Sequence, residues 1–375
     1  MHIVVLSGNY PYKDEANFVF VANLVRTWAD LGHHVDVICP QALFSKFHLK
    51  NHISLRPKTW GDATPGGNTI TVHRALYQPT SNKKSSYQRE LKAICKVLDR
   101  LCNQQTVLYA HFWKMGLIAA TYGAEHGLPT FVASGESAID IERFATDAFI
   151  KKASKNVTGA IAVSTKNAIE SETLGLYRAD DMLIAPNAVN ETFVARDDKE
   201  QCRKELGLPQ DALICLFVGA FNNRKGIKRL CDALKGVVGV STVFLGTGSI
   251  QPEHTDILFS GRVSHEMIPA YMGAADFFVL PTLAEGCCNA VVEALACGLP
   301  VISSDLPFNH DILNAGNSIM VDPANVNEIR EAIIRLRDDP NLRESLSHEA
   351  LATGRELKIE VRAQRILDYM QQRIG

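Results

Sequence analysis

The stretch VLPTLAEGCCNAVVEALACGLPVIS, residues 279–303, constrains the fold of this chain more than any other. It reads as a buried strand, a loop, a short helix, a glycine stop and a second strand. The helix begins near Cys288 or Asn289, where the apolar run AVVEALA starts and Asn serves as an amino-terminal cap. Gly298 closes it, and Pro300 bars its continuation. The first free amides of such a helix, with its dipole, form a site for an anion. Counted from Asn289, Glu293 lies one turn on and on the same face. A carboxylate there can accept hydrogen bonds from sugar hydroxyls. A phosphate at the helix start and a carboxylate one turn away describe a nucleoside diphosphate with its ribose. A plainer reading stays open beside it: a helix packed on a parallel sheet, with Glu285 and Glu293 merely solvated.

The pattern E-G-x-x-N-x-x-x-E-A-x-A-x-G-x-P-V-I, from Glu285 to Ile302, resembles the E-x7-E signature of family 4 of the retaining glycosyltransferases. The resemblance implies an α/β chain of the GT-B type: two Rossmann-like domains facing across a cleft, with a carboxy-terminal helix that crosses back to the first domain. It also implies roles. Glu293 would hold the ribose of a nucleotide-sugar donor, and Glu285 would orient the sugar or the phosphates. Gly286, Cys287, Cys288, Asn289 and Ala290 would form the loop and amides around the diphosphate.

Length supports two bodies, since 375 residues exceed one ordinary core. With 46% hydrophobic and 21% charged residues the composition is that of a globular protein. No apolar run reaches the ~18–20 residues needed to span a membrane. The opening MHIVVLSGNYPYKDE lacks a basic lead and a long apolar part, so it reads as a first core strand and not as a signal peptide. The nine cysteines are odd in number and scattered, with no CxxC and no Cys/His set at zinc spacing. Buried free thiols are expected, which suits a reducing cytoplasm. Cys287 and Cys288 invite a nucleophilic reading, but nothing near them in sequence supplies a base. A small basic excess in the first half and an acidic excess in the second are consistent with a solvated surface, or with orientation on an anionic membrane.

Along the chain, residues 2–6 predict a strand, residues 15–31 an amphipathic helix and residues 34–39 a second strand. This is a βαβ unit of a Rossmann-like domain. Its first loop has Gly8 and Asn9 but no G-x-G-x-x-G, which argues against dinucleotide binding. The family resemblance sets Gly8 and Asn9 near the transferred sugar and the acceptor; an ordinary tight turn is the competing account. Residues 41–90 are less regular, with a strand over 70–77. Lys83, Lys84, Arg89, Lys92 and Lys96 mark the helix that runs to about Cys102, either as a solvated face or as a patch for lipid headgroups or a lipid-linked diphosphate. In residues 107–134 a strand ends near Ala110 and a helix runs from about Lys114 to His126. His111 therefore stands at a strand's carboxyl end, where open α/β sheets bind ligands. The A-H-F-W pattern resembles the family's histidine facing the donor sugar; a structural histidine is the bland alternative. Glu136, in SGES, is a candidate acceptor contact. Ser164 is expected to cap a helix, and Asp180–Asp181 reads as a plain turn.

Residues 186–190, PNAVN, resemble the family's interdomain P-N-G-V-D link. The expected domains are therefore 1–187 for the acceptor, 188–356 for the nucleotide sugar, and 357–375 as a helix returning to the first domain. A helix over about 197–206 opens the second domain. The strand ICLFVG then leads through Gly219 into a loop with Arg224, Lys225 and Gly226. Adjacent cations at a strand's carboxyl end can neutralise a diphosphate. V-G-x-F-x-x-R-K-G resembles the family's diphosphate loop, whose Lys is Lys225 here. Many members place an Arg after the first Gly, where this chain has Ala220, which leaves Arg224 to supply the second charge. Arg262 and Val263, in G-R-V, match the segment that contacts the base.

The expected reaction is retaining, metal-independent transfer of a sugar from a nucleoside-diphosphate donor to an acceptor hydroxyl, in polysaccharide or glycolipid assembly. Lys225, Arg224, Glu285 and His111 are the catalytic candidates. No metal and no resident cofactor are expected, since the donor is a substrate. The partners are then the donor and a saccharide or lipid-linked acceptor, with peripheral membrane contact through the first domain and no nucleic acid. The setting is cytoplasmic, at or near the inner membrane face. Two alternatives compete: a GT-B sugar-nucleotide epimerase or hydrolase, and a non-catalytic nucleotide-sugar-binding scaffold.

Overall fold

The computed structural model describes residues 1–13, 17–43, 56–195 and 198–375. It is an α/β protein that falls into two compact units, Met1–Ala185 with Ala363–Gly375, and Pro186–Arg362.

In the first unit the chain runs β1 (His2–Leu6), α1 (Val19–Asp30), β2 (His34–Ala42), β3 (Thr59–Ala63), β4 (Thr69–Tyr77), α2 (Lys83–Leu101), β5 (Thr106–His111), α3 (Trp113–His126), β6 (Thr130–Ser134), α4 (Asp147–Ser154), β7 (Gly159–Ala162), α5 (Thr165–Thr173) and β8 (Leu183–Ile184). The eight strands pair in the order β3-β4-β2-β1-β5-β6-β7-β8. Every pairing is parallel except β3 with β4. β5, β6 and β7 are buried along their whole length, as expected for strands covered on both faces by crossover helices. Ser164 caps α5 by accepting the Asn167 amide, and Asn82 caps α2 by accepting the Ser85 amide.

The first helix starts later than its periodicity suggests. Phe18 sits in the left-handed region at φ 62°, and α1 begins at Val19. Phe18 and Phe20 pack on Phe112, with ring centroids 6.0 and 6.1 Å apart. The expected start at Glu15 lies outside the described residues. The turn-like stretch GDATPGGN also yields more structure than expected, because residues 59–63 add an antiparallel edge strand.

The second unit runs α6 (Lys199–Leu206), β9 (Ile214–Val218), α7 (Ile227–Leu234), β10 (Ser241–Leu245), β11 (Ile257–Gly261), α8 (Ile268–Ala274), β12 (Phe277–Leu280), α9 (Asn289–Ala296), β13 (Val301–Ser304), β14 (Ser318–Val321), α10 (Val326–Asp338) and α11 (Pro340–Glu356). The expected start of α6 at residue 197 lies outside the described residues. Its six-stranded sheet is wholly parallel, in the order β11-β10-β9-β12-β13-β14. The last helix, α12 (Ile359–Ile374), contributes its residues from Ala363 onward to the first unit. There Tyr369 donates to the Asp181 carbonyl at 2.9 Å, and Arg373 grips the Asp181 carboxylate. Asp181 is thus the anchor of the final helix and not a bare turn residue.

Both sheets share one topology. Among the parallel strands, β1 is flanked by β2 and then β4 on one side and by β5 on the other, as β9 is flanked by β10 and then β11 on one side and by β12 on the other. This is the doubly wound order, and its crevice opens at the carboxyl ends where the winding reverses. In the first unit that point lies between β1 and β5, and in the second between β9 and β12.

Candidate active site

In the second unit, the loops after β9 and β12 meet at this reversal point. The β9 loop is pinned through its backbone. Phe221 donates to the Thr247 carbonyl at 2.9 Å and accepts from the Ile250 amide at 3.1 Å. Gly246 passes so close that an added Cβ would stand 1.9 Å from the Gly219 carbonyl oxygen. Gly226 has φ +83°, and a Cβ there would lie 2.4 Å from the Pro281 oxygen. Glycine is therefore required where the β9 loop turns into α7 against the β12 loop. Arg229, from α7, donates to Asn223 at 2.9 Å and to Pro281 at 2.8 Å, stitching the two loops together.

This framework presents Arg224 and Lys225 to Glu285. Lys225 Nζ lies 2.9 Å and Arg224 2.5 Å from the same oxygen, Glu285 Oε1. Thr282 donates to that oxygen at 2.9 Å, and Arg224 also reaches the Ala284 carbonyl at 2.7 Å. Two cations share one carboxylate, so the hub retains formal positive charge. The Lys225 side chain is 14% exposed and that of Arg224 43% exposed. Burial opposes the Lys225 ammonium, yet Cys288 and Glu285 outweigh it and hold the pKa above the ordinary value. Burial also raises the Cys288 thiol, against the opposing effect of Lys225.

Helix α9 begins beside the hub. Its cap position is Cys288, and Asn289 is the first helical residue, so the helix starts one step earlier than an Asn cap would start it. Val291 and Val292 both donate to the Cys288 carbonyl at 3.1 Å, which leaves the Asn289 and Ala290 amides outside the helical ladder. Asn289 spends its side chain elsewhere: its Oδ1 accepts from Asn187 at 2.7 Å, and Asn187 also donates to the Cys287 carbonyl at 3.2 Å. The linker residue Asn187 thus braces the loop before α9. Gly286, Cys287 and Cys288 are buried; burial pushes the Cys287 thiol up to about 12. Lys225 Nζ stands 3.8 Å from Cys288 Sγ. Neither thiol has the low pKa of a reactive nucleophile.

Glu293, one turn into α9, lies 3.4 Å from His265 Nε2. Hydrogen bonding to Glu293 raises the His265 pKa against the opposing effect of burial. The His265 ring meets Phe193 edge-on at 5.3 Å. Arg262 is exposed and Val263 half-buried just beyond the carboxyl end of β11. At Gly219 an added Cβ would meet the Lys225 side chain at 3.5 Å and the Phe217 ring at 3.6 Å, so the lysine stem lies along this glycine. Ala220 is exposed.

In the first unit, the loop after β1 has Gly8 and Asn9, and β5 ends at His111. His111 is buried, with its ring 5.9 Å from Phe20 and 5.2 Å from Tyr109. The next residue, Phe112, has φ +71°, a strained conformation for a side-chain-bearing residue at the entry to α3. Gly8 has room for a Cβ, with the nearest atom of Phe18 at 3.9 Å. The Asn9 Oδ1 accepts from Arg56 at 3.4 Å. Glu136 is otherwise employed than as a projecting acceptor contact. Its Oε1 accepts the Trp113 amide at 2.7 Å, and its Oε2 accepts the Gly135 amide at 2.8 Å and Ser134 Oγ at 3.1 Å. It caps α3 from a distant loop. Burial raises its pKa against these hydrogen bonds.

The basic residues of α2 divide. Arg89, Lys92 and Lys96 line a groove of about 390 Å³ with Lys58, Arg74 and Arg100, whereas Lys83 lies over the Phe144 ring at 5.9 Å. Thr282 and Arg229 carry no sequence signal for their part in this site. For Asn187 a signal existed in the PNAVN link; for His265 it was its place two residues after Val263. Among the described residues no helix is long and apolar enough to cross a membrane.

Residues 198–352 match the family model described as glycosyl transferases group 1. The chain is 26% identical over 347 residues to TuaC of Bacillus subtilis, a glycosyltransferase ascribed to teichuronic acid biosynthesis, covering 89% of each chain. It is 22% identical over 298 residues to the UDP-Gal:alpha-D-GlcNAc-diphosphoundecaprenol alpha-1,3-galactosyltransferase of Escherichia coli, covering 71% of this chain and 75% of that one. Its fold is similar to that of Anabaena HepE solved with UDP, with a TM-score of 0.74 at 16% identity over 99% of this chain and 100% of the other. The fold is GT-B.

Proposed function

We propose that this chain, which belongs to the group 1 glycosyltransferases by its residues 198–352, moves a sugar from a nucleoside-diphosphate donor to an acceptor hydroxyl with retention at the anomeric carbon. The single observation that carries the reading is the convergence of Arg224 and Lys225 on Glu285 beside the first amides of α9. Such a site suits a diphosphate: cations and backbone N–H groups neutralise charge that grows on a leaving group. Without donor, Glu285 is the internal anion that keeps the two cations in place.

The anomeric C–O bond of the donor breaks, and its electron pair passes to the terminal phosphate oxygen. Lys225, Arg224 and the Asn289 and Ala290 amides stabilise that oxygen. The acceptor oxygen bonds to the anomeric carbon on the same face, and its proton goes to the departing diphosphate. The fixed cations do the work that a metal ion does elsewhere. Glu293 accepts from the ribose hydroxyls, and Glu285 orients the sugar. Arg262 and Val263 border the base. His111 serves as a hydrogen-bonding contact to the sugar, and the β1 loop with Gly8 and Asn9 serves the acceptor side.

The names of the relatives make a uridine nucleotide sugar and a lipid-linked saccharide of a surface polysaccharide the first substrates to try. The α2 groove, with six basic side chains, would then steer the protein to anionic lipid on the inner face of a membrane. The test is calorimetry with UDP, GDP and ADP, followed by mass spectrometry of lipid-linked acceptors incubated with the matching sugar nucleotides. The expected result is one tight nucleoside diphosphate, weakened at least tenfold in Lys225→Ala, and a product heavier by one glycosyl unit whose NMR coupling constants show the donor's anomeric configuration. Binding that ignores Lys225→Ala would sink the reading. Rapid donor breakdown without acceptor would redirect it to a hydrolase.

A further inference from the structure

We infer that the first unit carries a binding site for a divalent transition ion, zinc or a close analogue, made by His2, His34 and Asp36. The sheet register builds it. His2 opens β1 and pairs with His34, which opens β2; Asp36 follows two residues on and therefore points to the same face. Their ligand atoms all lie within 4.8 Å of one another. His2 Nε2 is 3.0 Å and His34 Nε2 3.6 Å from Asp36 Oδ2. Four ligands held tetrahedrally at ~2.0–2.1 Å stand ~3.3 Å apart, so these two spacings bracket the edge of a zinc site.

The neighbours are arranged as metal sites require. His2 Nδ1 is 3.0 Å from Thr106 Oγ1, which turns Nε2 toward the carboxylate. The other carboxylate oxygen, Asp36 Oδ1, is held by His73 Nε2 at 2.8 Å, leaving Oδ2 as a single directed ligand. Such outer partners fix the orientation of ligating groups. The Asp36 side chain is 7% exposed and that of His2 11%, whereas His34 is 70% exposed. The pair of buried ligands is thus preformed. His34 can swing onto an arriving ion, and solvent supplies the fourth position.

The site lies at the amino ends of β1 and β2. His111 lies at the carboxyl end of the adjacent β5, five residues along the strand pair or roughly 16 Å away. The ion would therefore act as a staple joining β1 to β2, and through His73 to β4, with no part in sugar transfer. No short motif announces it, because the three ligands are set by strand pairing and not by local spacing.

The test uses the full chain, stripped with a chelator and titrated with zinc or cobalt(II) at neutral pH. One equivalent should bind with a dissociation constant of about 10 µM or tighter, and saturating zinc should raise the thermal midpoint by about 5 °C. Cobalt(II) should give the visible bands of a four-coordinate site. His34→Ala, at an exposed position, should fold normally and lose all three effects, and His2→Gln should weaken binding. His348→Ala, which removes an exposed histidine of the second unit, should change nothing. Absence of stoichiometric binding, or binding that survives His34→Ala, would overturn the site and mark any zinc uptake as adventitious.

Discussion

The two sheets wind in the same order and open their crevices at the same place, yet they furnish them in opposite ways. In the second unit the β9 and β12 loops are locked by backbone hydrogen bonds and carry two cations on one carboxylate. In the first unit the equivalent loops are lined by Phe18, Phe20 and Phe112 around a buried histidine, and Glu136 caps a helix. One fold thus yields a rigid electrostatic seat and an aromatic, weakly charged one. Under the proposed function, a leaving diphosphate calls for fixed charge, whereas a saccharide can lay an apolar face on aromatic rings while its hydroxyls take directed hydrogen bonds.

The sharpest way to break this contrast is Lys225→Ala. If the second crevice works through preorganised charge, turnover should fall by about 10²–10³-fold, the effect of losing one such donor. The fold should survive, because Glu285 keeps Arg224 and Thr282 as partners. Transfer kinetics and a far-ultraviolet spectrum on the same sample check both halves.

Next in size is a pair of glycine substitutions. Gly226→Ala puts a Cβ 2.4 Å from the Pro281 carbonyl in a backbone conformation that disfavours it. It should destabilise the second unit by about 1–3 kcal/mol and weaken nucleotide binding with it. Gly8→Ala meets nothing closer than 3.9 Å, so stability should move by less than about 0.5 kcal/mol. Urea unfolding of both variants measures the difference in rigidity directly. Equal losses would mean that the two crevices are equally tight.

His111→Ala probes the aromatic side. A neutral hydrogen bond to the sugar is worth about 0.5–1.5 kcal/mol, which corresponds to roughly a 3–10-fold loss in kcat/KM. A loss as large as that of Lys225→Ala would show that the first crevice also acts by strong electrostatics.

Much of this was legible from residues alone, for reasons that separate the two units again. Arg224, Lys225, Glu285 and Glu293 lie in two short segments whose strand–loop–helix pattern is local, so their convergence follows from two neighbouring strands. Gly226 and Gly298 announced their turns because both need positive φ. Glu136 shows where local reading stops. Its carboxylate serves the Trp113 amide 23 residues away, and no pattern around SGES reveals that α3 lacks a cap of its own. Asp181 is similar, since the partner that gives it purpose, Arg373, lies 192 residues on. Phe18 is a further case: it stands in the left-handed region just before α1 with its ring on Phe112, a contact invisible in the amphipathic period. The cap of α9 fell one residue early because Asn289 turns its side chain to Asn187 and does not fold it back on the helix.

The smallest expected effect concerns Glu293 and tests whether the charged character of the second crevice reaches one turn into α9. His265 sits 3.4 Å from Glu293, and the hydrogen bond between them raises its pKa above 6.5. A histidine whose folded pKa is raised contributes stability that is fully present below pH 6.5 and is lost as pH climbs through the raised value. The His265 side chain is 38% exposed, so solvent screening limits this to about 0.5 kcal/mol. In Glu293→Gln the imidazolium loses its partner, and the His265 titration, followed by NMR, should move back down toward 6.5. A saturating nucleoside diphosphate should move it the same way in the unaltered chain, because a ribose that engages Glu293 draws the carboxylate away from the ring. If the nucleotide leaves the titration untouched while Glu293→Gln shifts it, then Glu293 serves the fold of the second unit and not the donor.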